Sequence, residues 1–466
     1  SFNSSNINDP GLAIEGDTLF LDFISTEELS LISISIAGNQ ADTTFQTEFR
    51  TSYRSIYVMN GSENEGYIPL QIDFSDLVGN QGQTITSTTN GTSILFDMTP
   101  PIDFQIDTII VSGGNVIENY WNASNDSIVL KLPIPLDDES LIGGYIRPQA
   151  RFGEGVWNFG EGEFIDCGDT IQITSIPDSG KMTIKISQAS FESTSGYADN
   201  GITQFTAVIT DRAGNETIGS SDETTLHIDE TIPVINEVNI SSNNLLNSNW
   251  AIVSDSISLV YVSSEGLYQP TAIILEDSII SNANSNGTSW NGSYIVNEGN
   301  EEGPASFSIS FSDTAGNYGI EITETTDGSS INIDNTSPLI SDIFEGAESQ
   351  ERSYYNNSDT ITVYWTQSDE VSGIAKTYYA LGSNPNSTNI SGWTEGNGVN
   401  YGGWNGLNLI NDETYFSGAF VRDSAGNYSD TIWSDGVYID TEIPVSGFIN
   451  DGQWIIELDY TPDSTS

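Results

Sequence analysis

The acidic side chains are the residues whose types and spacing could do chemistry. One Asp recurs in four near-copies of a hexapeptide: SDLVGN at Ser75–Asn80, TDRAGN at Thr210–Asn215, SDTAGN at Ser312–Asn317 and RDSAGN at Arg422–Asn427. A second Asp follows about 17 to 21 residues later, in LFDMTPP, HIDETIP, NIDNTSP and YIDTEIP, as Asp97, Asp229, Asp334 and Asp440. Further acids sit early in each repeat: Glu27 and Glu28, Asp137 to Glu139, Glu265, and Asp369 with Glu370. Two unit charges about 4 Å apart repel by about 1 kcal/mol in water, and by several times that where solvent is partly excluded. A hard divalent cation taking about six to eight oxygens turns such repulsion into coordination, and calcium suits loop carboxylates and carbonyls better than magnesium does.

Whether these acids meet depends on the elements that carry them. Each hexapeptide is preceded by alternating apolar residues, as in SFSISFSD and TYFSGAFVRD, and followed by a second alternating stretch. A period of two on either side of a Gly-Asn turn predicts two antiparallel strands joined by a hairpin. The Pro after the second Asp removes a backbone donor and fixes φ, which suits a strand exit and a stiff link to the next module. A third recurring element opens a strand: GDTLFLDF, NDSIVLKL, SDSISLVYV and SDTITVYW. Five residues before its Asp stand Leu12, Trp121, Trp250 and Tyr354, a shared offset that predicts core positions. Helical periodicity is nearly absent, and short strands recur with turn residues between them, as in a sandwich.

The predicted architecture is all-β, a tandem array of immunoglobulin-like antiparallel β-sandwich domains. The linkers divide it into 1–99, 100–232 with an insertion around GGYIRPQARFGEGVWNFGEGEF, 233–337, 338–443, and a stretch 444–466 that starts a further repeat or linker. In a sandwich of this topology the B–C and F–G loops lie at the end nearest the preceding module, so each linker Asp approaches the next module's acidic loops. Three junction clusters are predicted: Asp97 with Asp137, Asp138 and Asp211; Asp229 with Glu265 and Asp313; Asp334 with Asp369, Glu370 and Asp423. The alternative is that these acids only cap turns and keep the surface soluble.

Asp-x-Ala-Gly-Asn followed by Ile-Asp-x-Thr-x-Pro resembles the bacterial Ig-like repeats of large surface adhesins and other secreted multidomain proteins. The fourth module also resembles fibronectin type III modules, with Tyr415 where a tyrosine corner would fall. The first module departs from the pattern, with Leu-Val-Gly-Asn for x-Ala-Gly-Asn. The resemblance implies calcium at the module junctions, an extracellular or cell-surface location, and a structural or adhesive segment of an adhesin, surface-layer component or filament. The implied partners are further copies or repeats of the same chain, and a cell-surface glycan or protein receptor.

Charge and composition narrow the functions further. Eleven Lys and Arg stand against 66 Asp and Glu, a formal charge of −55 that repels nucleic acid and anionic lipid headgroups. No apolar run is long enough for direct membrane insertion. The only histidine, His227, occupies a place where the other modules have Leu95, Asn332 and Tyr438, so no catalytic role is expected of it. Cys167 has no basic neighbour in sequence to activate it. The chain is therefore expected not to be an enzyme. A competing reading makes it a glycan-binding or accessory segment of a large secreted enzyme, with Trp393, Tyr401 and Trp404 in SGWTEGNGVNYGGWNG offering stacking faces on exposed loops.

Overall fold

Alternation builds the strands of every module in the same way. In Thr18–Ile24, Ser127–Pro133, Ser256–Ser263 and Ile361–Ser368 every second side chain turns inward. The buried residues are Leu19 and Leu21; Ile128, Leu130 and Leu132; Ile257, Leu259 and Tyr261; and Ile361, Val363 and Trp365. The chain is described by a computed structural model that covers residues 1–154, 162–221 and 223–447. The predicted last stretch, 444–466, is thus described only as far as 447, and part of the predicted insertion, 155–161, also lies outside the described residues.

Two compact units emerge, one made of Ser1–Pro233 with Ser312–Gly319, the other of Val234–Phe311 with the described residues from Ile320 onward. In the first unit, one sandwich sets the sheet Phe2–Ser4, Thr18–Ile24, Ser52–Val58, Thr43–Gln46 against Asn39–Gln40, Leu29–Ile36, Leu70–Asp76. Its core runs from Phe2 to Phe96. The next sandwich sets Thr108–Ser112, Ser127–Pro133 and Lys181–Ser187 against a sheet centred on Gly201–Thr210 and Tyr145–Glu154. Its core, from Phe104 to Ile228, is separate. Tyr145–Glu154 pairs along its whole length with Gly201–Thr210, so the front of the predicted insertion is a strand of the sandwich itself.

In the second unit, Ile235–Ser242, Ser256–Ser263, Ser289–Ile295 and Ser281–Ala283 form one sheet of a sandwich whose core spans Ile235 to Ile333. The remaining sandwich packs Leu339–Ala347, Ile361–Ser368 and Tyr401–Trp404 against Tyr354–Tyr355, Val437–Ile439, Thr414–Asp423, Ile374–Gly382 and Ser391–Gly396. The Tyr415 hydroxyl accepts from the Ile410 amide at 2.9 Å, which makes it the tyrosine corner of this module.

In all four modules a short early strand pairs in parallel with the last one: Leu12–Ala13 with Leu95–Phe96, Tyr120–Asn122 with Leu226–Asp229, Trp250–Ala251 with Asn332–Ile333, and Tyr354–Tyr355 with Tyr438–Ile439. Leu12 and Trp121 are buried as expected, but this pairing corrects the expectation of a shared core offset. Trp121 lies opposite Ile228 and is fully buried, but the residues opposite the matching Phe96, Ile333 and Ile439 are Ala13, Ala251 and Tyr355. Tyr354 is 70% exposed. The inward position is five residues before the strand-opening Asp in the second module and four before it in the others, and one residue of offset exchanges the faces of a strand.

Candidate metal centre

The recurring Asp first of all closes its own turn. Asp423 Oδ1 accepts from the amides of Gly426 at 2.5 Å and Asn427 at 2.8 Å, and its Oδ2 accepts from Asn427 Nδ2 at 2.9 Å. Asp211 and Asp313 are held in the same way. Gly426 has φ +117°, a backbone that a side chain would strain, which fixes Gly in the motif. The small residue before it, Ala213, Ala315 or Ala425, is buried.

The Asn that ends the motif also grips the linker. Asn215 Nδ2 donates to the Asp97 carbonyl at 3.1 Å, Asn317 Nδ2 to the Asp229 carbonyl at 2.8 Å, and Asn427 Nδ2 to the Asp334 carbonyl at 2.8 Å. A reciprocal bond returns from an Asn early in the preceding module: Asn6 Nδ2 to the Ala213 carbonyl, Asn122 Nδ2 to that of Ala315, and Asn244 Nδ2 to that of Ala425. Sequence reasoning read the motif Asn as a turn residue and missed Asn6, Asn122 and Asn244. Their only signal is an Asn eleven residues before Asp17 and Asp255 and four before Asp126, hard to see in a chain so rich in Asn.

These clasps bring the linker acids onto the turn acids. In the second unit Asp334, Asp369 and Asp423 each offer a carboxylate oxygen, all within 4.8 Å of one another. Asp334 is 0% exposed and Asp423 1%. Asp369 is half-buried and its Oδ1 accepts from the amides of Val371, Ser372 and Gly373. Asp334 Oδ1 accepts from the Thr336 amide at 3.2 Å, whereas its enclosed Oδ2 has no hydrogen-bond partner. Burial pushes the Asp334 carboxyl above its ordinary value; the Ser372 hydroxyl opposes this without making a bond of normal geometry to Oδ2, and Asp423 and Asp369 add to it. Asp423 is also pushed up by burial, with its turn bonds pulling the other way and Asp369 adding to the rise. An orphaned buried oxygen facing two more carboxylates is an all-oxygen donor set, which matches a hard divalent cation. Glu370 is exposed and does not join the three.

The cluster predicted around Asp97 comes together in part. Asp97 and Asp211 face each other in the first unit, and burial, then Asp211 and Glu65, push the Asp97 carboxyl up while Arg212 pulls it down. Asp137 and Asp138 do not complete a metal-sized group there among the described residues. Asp138 instead caps the short 3-10 turn Glu139–Leu141 through the Ser140 amide, and Asp137 is exposed. Asp229 and Asp313 also lie in the first unit, and Asp229 is pushed up by burial and by Asp313. Glu265 belongs to the second unit, half-buried just after Ser256–Ser263.

Each module is an immunoglobulin-like β-sandwich. This rests on its two packed antiparallel sheets and on the parallel pairing of its early and last strands. No family model and no curated protein matches the chain. Among solved structures the chain is similar to tandem domains from titin, at 14% identity over 72% of this chain and 98% of that one, with a TM-score of 0.29. An ectodomain fragment of ICAM-5 gives 10% identity over 94% and 100%, with a TM-score of 0.32. Domains of chicken contactin give 12% over 73% and 98%, with a TM-score of 0.22.

The three proposed stacking residues do not form one surface. Tyr401 is exposed on the sheet with Ile361–Ser368 and stacks on Tyr364. Trp393 lies on the opposite sheet, in Ser391–Gly396. Trp404 is corrected from an exposed loop to the end of the strand Tyr401–Trp404, packed against the module's hydrophobic clusters with Tyr379 at 5.2 Å. Of the residues weighed for catalysis, His227 lies in the strand Leu226–Asp229 beside the Tyr120 ring, and the buried Cys167 thiol is pushed up by burial. Among the described residues no helix is long and apolar enough to cross a membrane.

Proposed function

We propose that the chain is a non-catalytic structural or adhesive segment of an extracellular, bacterial-type surface protein or filament, in which calcium bound at a module junction restrains the two sandwiches that meet there. The observation that carries this reading is the Asp334 carboxylate, whose Oδ2 is buried without a partner and which groups with the carboxylates of Asp369 and Asp423 within 4.8 Å. Asp334 ends one sandwich, while Asp369 and Asp423 belong to the next, so an ion held by all three ties the linker to the following module. Calcium supplies charge neutralisation that the protein's own side chains do not provide at this place, where the residue after the turn Asp is Ser424 and not an Arg as at Arg212. Protein partners, further repeats or further copies of the chain fit an array of sandwiches.

The reading is tested by small-angle scattering of the full chain in calcium and in excess chelator. A longer, narrower distribution of intramolecular distances in calcium is the expected result. Superimposable profiles at saturating calcium and in chelator would overturn the stiffening role.

A further inference from the structure

The outer face of one sheet in the last sandwich breaks the rule its siblings obey. An antiparallel sheet with one solvated face alternates apolar inward and polar outward residues. Counting back from the motif Asp, the outward residue three positions earlier is Asp73, Val208 and Ser310 in the first three modules, and Phe420 in the fourth. Its cross-strand neighbours are Ser33, Arg147 and Thr271 in the first three, and Tyr378 in the fourth. The sibling modules thus act as internal controls for a face that is mostly polar elsewhere.

Five rings converge on this face. Tyr378 stacks on Phe420 at 4.6 Å and 13°, and Trp393 meets Phe420 edge-on at 4.8 Å. Tyr428 lies 6.1 Å from Phe420, and Trp433 lies 6.1 Å from Trp393. Trp393 is 42% exposed and Tyr428 50%. Trp433 lies across Gly418, where a Cβ would come within 2.8 Å of the indole; the sibling positions hold Gln71, Thr206 and Ser308. The missing side chain therefore lets an indole lie on the sheet.

Polar groups border the rings. Lys376 pairs with Glu395 at 2.7 Å, the Tyr378 hydroxyl donates to Glu395 at 3.2 Å, and the Arg422 guanidinium, its Nε enclosed, lies near both. Donors and acceptors beside flat rings match a pyranose, which has an apolar C–H face and a rim of hydroxyls that both donate and accept. The chain's net charge of −55 disfavours an acidic polymer.

We propose that this aromatic face is a binding site for a neutral, extended β-linked polysaccharide, with sugar rings stacking on Trp393 and Tyr428 and with Glu395 and Arg422 bonding to hydroxyls. This site is independent of the junction acids and of calcium.

The test is calorimetric titration of the full chain with cellohexaose, chitohexaose and laminarihexaose, in calcium and in chelator, with tryptophan fluorescence as a second readout. At least one hexasaccharide is expected to bind and to change the fluorescence. Trp393→Ala and Tyr428→Ala should each weaken binding at least about tenfold, the loss expected when a central aromatic contact is removed. Tyr401→Ala, on the opposite sheet, should bind as the parent does. Tyr428 is the more exposed ring, so its variant keeps the test valid if Trp393→Ala fails to fold. The proposal is overturned if none of the three sugars binds, or if binding survives both substitutions. It is equally overturned if sedimentation shows that the face instead joins two copies of the chain, with Trp393→Ala abolishing a dimer.

Discussion

Removing the charge of Asp334 should have opposite effects with and without calcium. The three carboxylates offer oxygens within 4.8 Å of one another. At that separation each pair of full charges repels by about 1 kcal/mol in water and about 3 to 4 kcal/mol at an effective dielectric of about 20. Asp334→Asn removes two of the three pairs, so even the weaker figure predicts a gain of about 2 kcal/mol in chelator. For a unit of this size that raises the corresponding melting transition by about 4 to 8 °C. The sign of the pH dependence follows from the raised folded carboxyls of Asp334 and Asp423. A folded value above the unfolded one, near about 3.9, gives stability that is present at low pH and lost as pH rises through the folded value. In chelator these two acids should therefore add stability as pH falls from about 7 towards 5. The increment due to calcium should shrink over the same range, because protons compete for the same oxygens. Differential scanning calorimetry of parent and variant, in calcium and in chelator across that range, reads all of this. A variant no more stable than the parent in chelator, or one with the parent's full calcium increment, would refute the reasoning.

Asn427→Ala removes side-chain bonds to the Asp334 carbonyl and Asp423 Oδ2, and should cost about 2 kcal/mol by denaturant unfolding, with earlier proteolysis at the linker. Glu345 is 1% exposed, accepts from the Ser417 amide and the Ser434 hydroxyl, and burial pushes its carboxyl up. Glu345→Gln should therefore remove its share of the stability gained on acidification, seen as a flatter melting temperature against pH. Trp404→Ala should destabilise the last sandwich by about 3 kcal/mol through loss of core packing, while the exposed Tyr401→Ala should stay within about 0.5 kcal/mol, both measured by denaturant unfolding.

The fold was legible because its punctuation repeats. Asp-x-Ala-Gly-Asn marked the hairpin and the Ile-Asp-x-Thr-x-Pro stretch marked the last strand and its exit, and period-two runs between them gave the buried faces of strands such as Ser256–Ser263. The approach of Asp334 to Asp369 and Asp423 followed from sandwich topology alone. Face assignments in the short parallel strands were less legible, because an extra residue in the second module reverses which side of the strand Trp121 occupies. Asp137 and Asp138 show a related limit: an Asp in the right loop can turn to a local amide, as Asp138 does, and never reach the junction. The aromatic face escaped notice because Tyr378, Trp393, Phe420, Tyr428 and Trp433 are scattered in sequence and meet only through strand pairing.

The central claim, that Asp334, Asp369 and Asp423 hold calcium, is tested most directly by calorimetric titration of calcium into the chelator-treated full chain, beside its Asp334→Asn and Asp369→Asn variants. A saturable calcium-binding event that both substitutions remove is the predicted result. No calcium uptake by the parent chain, or the same isotherm in all three proteins, would contradict it.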